Sequence, residues 1–181
     1  MVEQETKGYR LNWKVNKVII QKKTEFQNLA VVELEDFGRA LVLDEAIQVT
    51  EGDEYIYNEM IAHIPLVTHP NPQDVLIIGG GDGGALREVL KHKEVRAVDL
   101  VEIDRNVIEA SKKYLPSIGC SFDNKRANII FVDGIEFLKN TTKKYDVIII
   151  DSSDPVGPAV ELFQKEFYQN CYNALRDDGI L

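Results

Sequence analysis

Val75-Leu76-Ile77-Ile78-Gly79-Gly80-Gly81-Asp82-Gly83-Gly84 decides the architecture of this chain. A β-branched apolar run enters a glycine-packed turn, and Ala85-Leu86-Arg87-Glu88-Val89-Leu90 carries on as a helix. Strand, loop and helix in that order open a nucleotide site in a doubly wound sheet, and Gly79, Gly81 and Gly84 satisfy the G-x-G-x-x-G spacing. Asp82, inside the loop, narrows the ligand. In a dinucleotide site this loop approaches a pyrophosphate, and a carboxylate about 4–5 Å from a phosphate costs roughly 3–4 kcal/mol at an effective dielectric near 20. Asp82 therefore argues against NAD or FAD and for a ligand that is cationic where it meets the loop. S-adenosyl compounds carry a sulfonium and no phosphate, and they fit.

Downstream of the loop the pattern alternates. Strands are predicted at 74–79, 96–102, 128–132 and 145–151, with helices near 84–92, 104–114, 134–140 and 160–175. That is an α/β fold, a Rossmann-like sheet of the class I methyltransferase type with helices on both faces. Upstream, Lys14–Ile20, Leu29–Leu34 and Ala40–Leu43 read as short strands, with turns at Asp36-Phe37-Gly38 and Asp44-Glu45. A small antiparallel β domain over residues 1–50 is thus expected ahead of a Rossmann-like domain over 51–181. Residues 1–8 are polar and expected to fray. Thr50-Glu51-Gly52-Asp53 resembles a capping box opening a helix, with Tyr57, Ile61 and Ile64 on one face and Pro65 ending it. Leu175–Leu181 reads as a helix end, a turn and the first two residues of a strand. Measured against a sheet ordered 3-2-1-4-5-7-6, the C-terminal strands five to seven are missing, and Val147–Ile150 is expected to form a bare apolar edge.

Composition sets outer limits. A chain of 181 residues that is 44% hydrophobic can bury a proper core. Thirty acidic residues against twenty-one basic ones give a formal charge of −9, which repels nucleic acid and anionic membrane and attracts a cationic small substrate. Cys120 and Cys171 lie far apart and without C-x-x-C spacing, and His63, His69 and His92 lack ligand spacing, so neither a disulfide framework nor a metal is expected. The N-terminus has no apolar leader and no run approaches 18 apolar residues, which predicts a cytoplasmic protein with no membrane partner.

Three further positions carry chemistry. Glu102 ends the second strand in Val101-Glu102-Ile103-Asp104, about twenty residues beyond the glycine loop, where an acid accepts hydrogen bonds from ribose hydroxyls. Helix capping is the alternative role, and Asp104 could fill it alone. Asp133-Gly134 ends the third strand at the crevice edge, where a base amino group would sit or where an Asx-turn would form. The third is Asp151-Ser152-Ser153-Asp154-Pro155, which follows the fourth strand. Strands one and four are neighbours in such a sheet, so Asp82, Asp151 and Asp154 are expected to converge on one pocket. Clustered carboxylates of that kind demand a polycationic substrate.

Taken together, G-G-G-D-G-G, E-I-D, D-G and D-S-S-D-P-x-G-P at this spacing resemble the spermidine synthase family of aminopropyltransferases, as does Leu41–Asp44 through Thr50–Tyr55. The similarity runs from about Lys14 to Leu181. The resemblance implies transfer of the aminopropyl group of decarboxylated S-adenosylmethionine, a co-substrate rather than a resident cofactor, to a polyamine such as putrescine, without metal. It implies Asp151 as proton acceptor, with Asp82, Tyr57 and Asp154 around the diamine and Asn58, Ser152 and Ser153 beside them. Gln27, Gly79, Gly81, Glu102, Asp133, Gly134 and Pro158 then fall to the nucleoside donor. A homodimer or homotetramer is implied for the full-length form. The chain departs from the family pattern at Asn58, where His or Gln is usual, in its N-terminal start, and in the C-terminal third. Two other readings stay open: an S-adenosylmethionine-dependent methyltransferase, and an inactive fragment that only binds a full-length homologue.

Overall fold

The computed structural model describes residues 1–153 and 157–181. Its N-terminal part holds a hairpin, β1 (Val2–Thr6) with β2 (Tyr9–Asn12). A four-stranded antiparallel sheet follows: β3 (Val15–Lys23), β4 (Asn28–Leu34), β5 (Gly38–Leu43) and β6 (Ala46–Thr50), in that spatial order. Residues 1–8 are therefore paired rather than frayed. Polar contacts that no periodicity reveals hold them: Glu3 is buried, accepting from Trp13 Nε1 at 2.7 Å and from the Ile47 amide at 2.8 Å. Side chains of the sheet alternate between two layers. Leu29, Val31, Leu41 and Val49 face one way, and Val32, Leu34, Ala40 and Val42 the other.

Next comes α1 (Glu54–Thr68). Thr50 is the last residue of β6 and not a helix cap. Its hydroxyl donates to Asp53 Oδ1 at 2.6 Å, so the expected capping box is a side-chain pair one step upstream of the helix. Pro65 does not end α1; the helix runs on to Thr68, and the His69 amide closes the last turn on the Pro65 carbonyl at 3.0 Å. Proline forfeits only its own donor, and one more turn is tolerated beyond it. The buried face carries Asn58, Ala62 and Leu66 rather than the neighbouring stripe Tyr57, Ile61 and Ile64, and Tyr57 and Ile64 stay about half exposed.

The remaining elements are β7 (Asp74–Gly79), α2 (Gly84–Val89), β8 (Ala97–Val101), α3 (Arg105–Tyr114), β9 (Ala127–Ile130), α4 (Gly134–Asn140), β10 (Tyr145–Asp151), α5 (Lys165–Ala174) and β11 (Leu175–Ile180). Their sheet is wholly parallel, ordered β11-β10-β7-β8-β9. Numbered by their order in the chain, these strands read 3-2-1-4-5 from the β9 edge, the Rossmann-like arrangement of class I methyltransferases. Adjacent residues of β7 point to opposite layers. Val75 and Ile77 pack with Ala62, Leu86, Val89, Leu100 and Ile149, while Leu76 and Ile78 pack with Leu138, Tyr145, Ile148, Phe167 and Cys171. Burial on both faces explains the unbroken apolar runs, and each such side chain contributes about 1.5–3 kcal/mol. The antiparallel sheet docks through Leu29, Val31, Leu41 and Val49 onto Val107 and Ala110 of α3 and onto Leu115 and Ile118.

Two expectations at the C-terminal side need correction. The helix expected over 160–175 is a 3-10 turn, Gly157–Phe163, followed by α5. The outer edge of β10 is not bare either. Leu175–Ile180 forms a fifth parallel strand, pairing Tyr145 with Leu175 and Val147 with Ile180 across an irregularity. Arg176-Asp177-Asp178-Gly179 looks like a turn because its anchoring is ionic: Arg176 reaches Asp74 at 2.6 Å and Asp146 at 3.2 Å.

Candidate active site

The glycine loop leaves β7 with Gly79, Gly80 and Gly83 all at positive φ (82°, 72° and 90°), a conformation side chains resist. Close approach adds a second constraint. A Cβ on Gly79 would stand 2.0 Å from the Asp151 carbonyl oxygen, and that oxygen accepts the Gly80 amide at 2.9 Å. Gly79 and Asp151 are also register partners across β7 and β10. The loop and the end of β10 are thus clamped together, which brings the carboxylates of Asp82 and Asp151 into one electrostatic neighbourhood at the carboxyl ends of adjacent strands.

Asp151 is the centre of this neighbourhood. Its Oδ1 accepts the Tyr57 hydroxyl from α1 at 3.0 Å. Its Oδ2 is buried and meets no donor among the described residues. Burial, followed by the charges of Asp82 and Glu102, pushes the Asp151 carboxyl up to about 7, against a lowering by the Tyr57 hydrogen bond. Asp82 is raised too, chiefly by burial, although the Gly84 amide bonded to its Oδ1 at 2.6 Å works the other way. Tyr57 itself is held as a phenol by burial and by Asp151. Tyr57→Phe removes the donor that favours the ionised carboxylate. The Asp151 midpoint should then rise above its wild-type value in a carboxyl ¹³C NMR titration. Stability should change by no more than about 1 kcal/mol, since Tyr57 is half exposed.

Glu102 lies on the other side of the loop. A Cβ on Gly81 would come within 2.7 Å of both Glu102 Oε2 and Val107, so only glycine lets the carboxylate lie against the turn. Glu102 Oε1 accepts the Asp104 amide at 2.8 Å, and burial pushes its carboxyl up to about 7. Asp104 caps α3 by accepting the Asn106 amide at 3.0 Å, which leaves the cap role to Asp104 and Glu102 Oε2 beside the loop. Gln27, between β3 and β4, donates to Asp104 Oδ2 at 3.2 Å and thereby joins the antiparallel sheet to this turn.

The other expected residues divide. Asp133 forms the Asx-type cap of α4, with Oδ1 accepting the Ile135 amide at 2.7 Å, and Gly134 packs where a Cβ would strike Ile78 at 2.6 Å. Ser152 donates to the Ser153 carbonyl at 3.2 Å. Asn58 is buried rather than part of an open pocket wall; it donates to Glu54 Oε2 at 2.8 Å and abuts Gly84. Pro158 falls in the 3-10 turn. Asp154 lies outside the described residues, so two of the three expected acids are brought together here. Sequence reasoning passed over Glu54 and Arg87, whose ion pair at 2.8 Å flanks Asn58; an arginine on the inward side of a short apolar helix was the available signal. Among the described residues no three His, Cys, Asp or Glu side chains converge to hold a metal, and no helix is long and apolar enough to cross a membrane.

The Rossmann-like sheet thus carries an acid inside its glycine loop, an acid after its second strand and an acid at the end of its fourth. Comparison with known proteins sharpens the class. The spermine/spermidine synthase domain matches residues 54–181, and the spermidine synthase tetramerisation domain matches residues 1–51. The chain belongs to the spermine/spermidine synthase family. It is 53% identical over 179 residues to the polyamine aminopropyltransferase of Methanocaldococcus jannaschii, covering 99% of this chain and 61% of that protein. It is 54% identical over 178 residues to that of Caldicellulosiruptor saccharolyticus, covering 98% and 64%. A spermidine synthase solved with the transition-state analogue AdoDATO superposes with a TM-score of 0.95 at 47% identity, over 98% of this chain and 61% of that one. The Thermotoga maritima spermidine synthase gives 0.93 at 47% identity, over 98% and 60%. The chain therefore spans somewhat under two thirds of the length of these relatives.

Proposed function

We propose that this protein serves aminopropyl transfer from decarboxylated S-adenosylmethionine to a polyamine acceptor, with putrescine as the first candidate. The observation that carries the reading is Asp151, whose Oδ2 is buried and meets no donor among the described residues, while Asp82 and Glu102 add negative charge around it. A cationic amine satisfies that oxygen and relieves the crowding of charge. Glu102 takes the ribose hydroxyls, Asp133 and Gly134 border the base, and Asp82 and Tyr57 hold the acceptor amine beside Asp151. Gln27 and Pro158 complete the donor side, while Ser152, Ser153 and Asp154 extend the acceptor side.

In the reacting complex the acceptor ammonium gives a proton to Asp151. The freed nitrogen lone pair attacks the methylene carbon beside the sulfonium. As the new C–N bond forms the C–S bond breaks, its electron pair passes to sulfur, and methylthioadenosine leaves. Orientation supplies much of the rate because the leaving group is already activated. No metal or resident cofactor is required. The name of the domain matched by residues 1–51 supports assembly of the complete protein as a dimer or tetramer through that sheet.

The test is direct. Methylthioadenosine should accumulate in equal amount with spermidine when the protein is given decarboxylated S-adenosylmethionine and putrescine. Formation of S-adenosylhomocysteine from S-adenosylmethionine instead would make it a methyltransferase. Glu102→Gln should weaken methylthioadenosine binding roughly 10–100-fold, the worth of hydrogen bonds to a charged acceptor, and leave acceptor binding nearly intact. Ribose hydroxyls favour the ionised form of a carboxyl that titrates at about 7, so wild-type binding should release a proton near that pH and tighten as pH rises through it. Calorimetry in two buffers of different ionisation heat reads both effects.

A further inference from the structure

Among the described residues Arg87 touches none of the groups assigned to the reaction, yet it anchors a continuous path to one of them. Its Nη2 donates to Glu54 Oε2 at 2.8 Å, its Nε to Glu88 at 2.8 Å and its Nη1 to the Ser117 carbonyl at 2.9 Å. The same Glu54 oxygen accepts from Asn58 Nδ2 at 2.8 Å, which orients the amide, since a flip would turn its oxygen onto the carboxylate. Asn58 Nδ2 lies where a Cβ on Gly84 would be 2.1 Å away, and the Gly84 amide is the donor to Asp82 Oδ1 at 2.6 Å. Path and loop meet at Gly84.

The charges along this path are unequal in their alternatives. Glu88 keeps Lys91 at 2.5 Å and His63 at 3.2 Å if the guanidinium is lost. Glu54 has Arg87 as its one ion-pair partner among the described residues. Both act on Asp82 in opposite senses, Glu54 disfavouring its ionised form and Arg87 favouring it. Asp82 is also coupled to Asp151 on β10, to Glu102 after β8 and to Tyr57 on α1. It thus stands among negative or neutral groups, with Arg87 the cation that opposes them.

We propose that Arg87 is a positioning residue: by pairing with Glu54 it shields Asp82 from a second negative charge and keeps Asp82 an anion able to hold a cationic amine. This rests on the reading of Asp82 as an acceptor contact. Glu54 belongs to the same device, because it fixes Asn58 against the loop and requires a cation to be harmless there.

The test reads Asp82 directly, in the whole chain, by ¹³C-carboxyl NMR with aspartate labelling and assignment through Asp82→Asn. Arg87→Gln should move the Asp82 midpoint up by about one pH unit, a tenfold change in its protonation equilibrium. Glu54→Gln should move it down, and the double variant should return it close to wild type. Glu54→Gln leaves the guanidinium bonded to Glu88 and Ser117, so it keeps the test decisive if Arg87→Gln does not fold. A midpoint that is unmoved by Glu54→Gln, or a double variant that behaves as Arg87→Gln, would overturn the proposal and reduce Arg87 to a structural clasp. In turnover assays the same change appears as a several-fold higher KM for the amine at pH 7 in Arg87→Gln, restored in the double variant, with donor KM unchanged. Absence of methylthioadenosine formation in the wild type counts against the function proposed above, and the NMR titration stands apart from it.

Discussion

Asp151→Asn is expected to lower the rate of methylthioadenosine formation roughly 10²–10⁴-fold, the usual worth of a positioned general base, while binding of the nucleoside donor stays within about twofold. The base must be unprotonated to work, and its carboxyl is raised to about 7 by burial and by Asp82. The wild-type kcat/KM should therefore rise with pH through that value, and the limb should vanish in the variant. Once a cationic amine is bound the ionised form is favoured, so the limb in kcat should lie below the one in kcat/KM. The same substitution has the opposite sign for stability. A carboxyl raised in the folded state keeps a proton that the unfolded chain releases between about pH 4 and 7. Stability of the ligand-free protein falls as pH rises through that window. Asp151→Asn removes this penalty, so its melting temperature should exceed wild type at pH 8 and match it near pH 4. Paired thermal melts and turnover measurements would show whether the charge was held for chemistry rather than for the fold. A variant with near-normal turnover removes Asp151 as the base.

Gly79→Ala is expected to cost about 3 kcal/mol or more, the combined price of a positive φ at a non-glycine residue and a backbone clash. The added methyl would stand 2.0 Å from the Asp151 carbonyl oxygen at a residue whose φ is 82°. Something must move, and both candidates are backbone. A melting temperature lower by roughly 6–12 °C is the corresponding observable for a domain of this size. Gly8→Ala is the control, since nothing lies within 4 Å of its Cβ position. If Gly79→Ala melts like Gly8→Ala, the clamp between the loop and β10 is not rigid.

Much of this was legible beforehand because parallel strands covered on both faces read as unbroken apolar runs. Val75–Ile78 and Val147–Ile150 could hardly be anything else, and the order of alternation places their ends together. The glycine loop was legible for a steric reason, and Asp82 for an electrostatic one. What escaped was held by polar contacts. The β1–β2 hairpin rests on Glu3 and the Trp13 indole, and β11 rests on Arg176 bridging Asp74 and Asp146. Neither has the apolar alternation that announces a strand. The buried face of α1 lies one residue round from the stripe Tyr57, Ile61 and Ile64 and was not legible, because Asn58 is polar yet buried, its Nδ2 bonded to Glu54. Buried Asn58 with part-buried Glu54 and Arg87 forms a polar unit that looks, residue by residue, like ordinary helix surface.

The pairing of Gly79 with Asp151 across β7 and β10 has a bearing on how such a protein can vary over evolutionary time. The distance between the two carboxylates is measured by a ladder of hydrogen bonds and not by the length of chain between them. Segments such as 91–94 and 141–144 are largely exposed and connect elements without entering that ladder, so insertions there can accumulate as lineages diverge while the carboxylates keep their spacing. A single deletion inside β10 is different in kind. It would turn the apolar residue Ile150 toward the loop and carry the acid round to the opposite layer. Genetic drift in this scaffold is therefore free along such exposed connections and closed within two short strands.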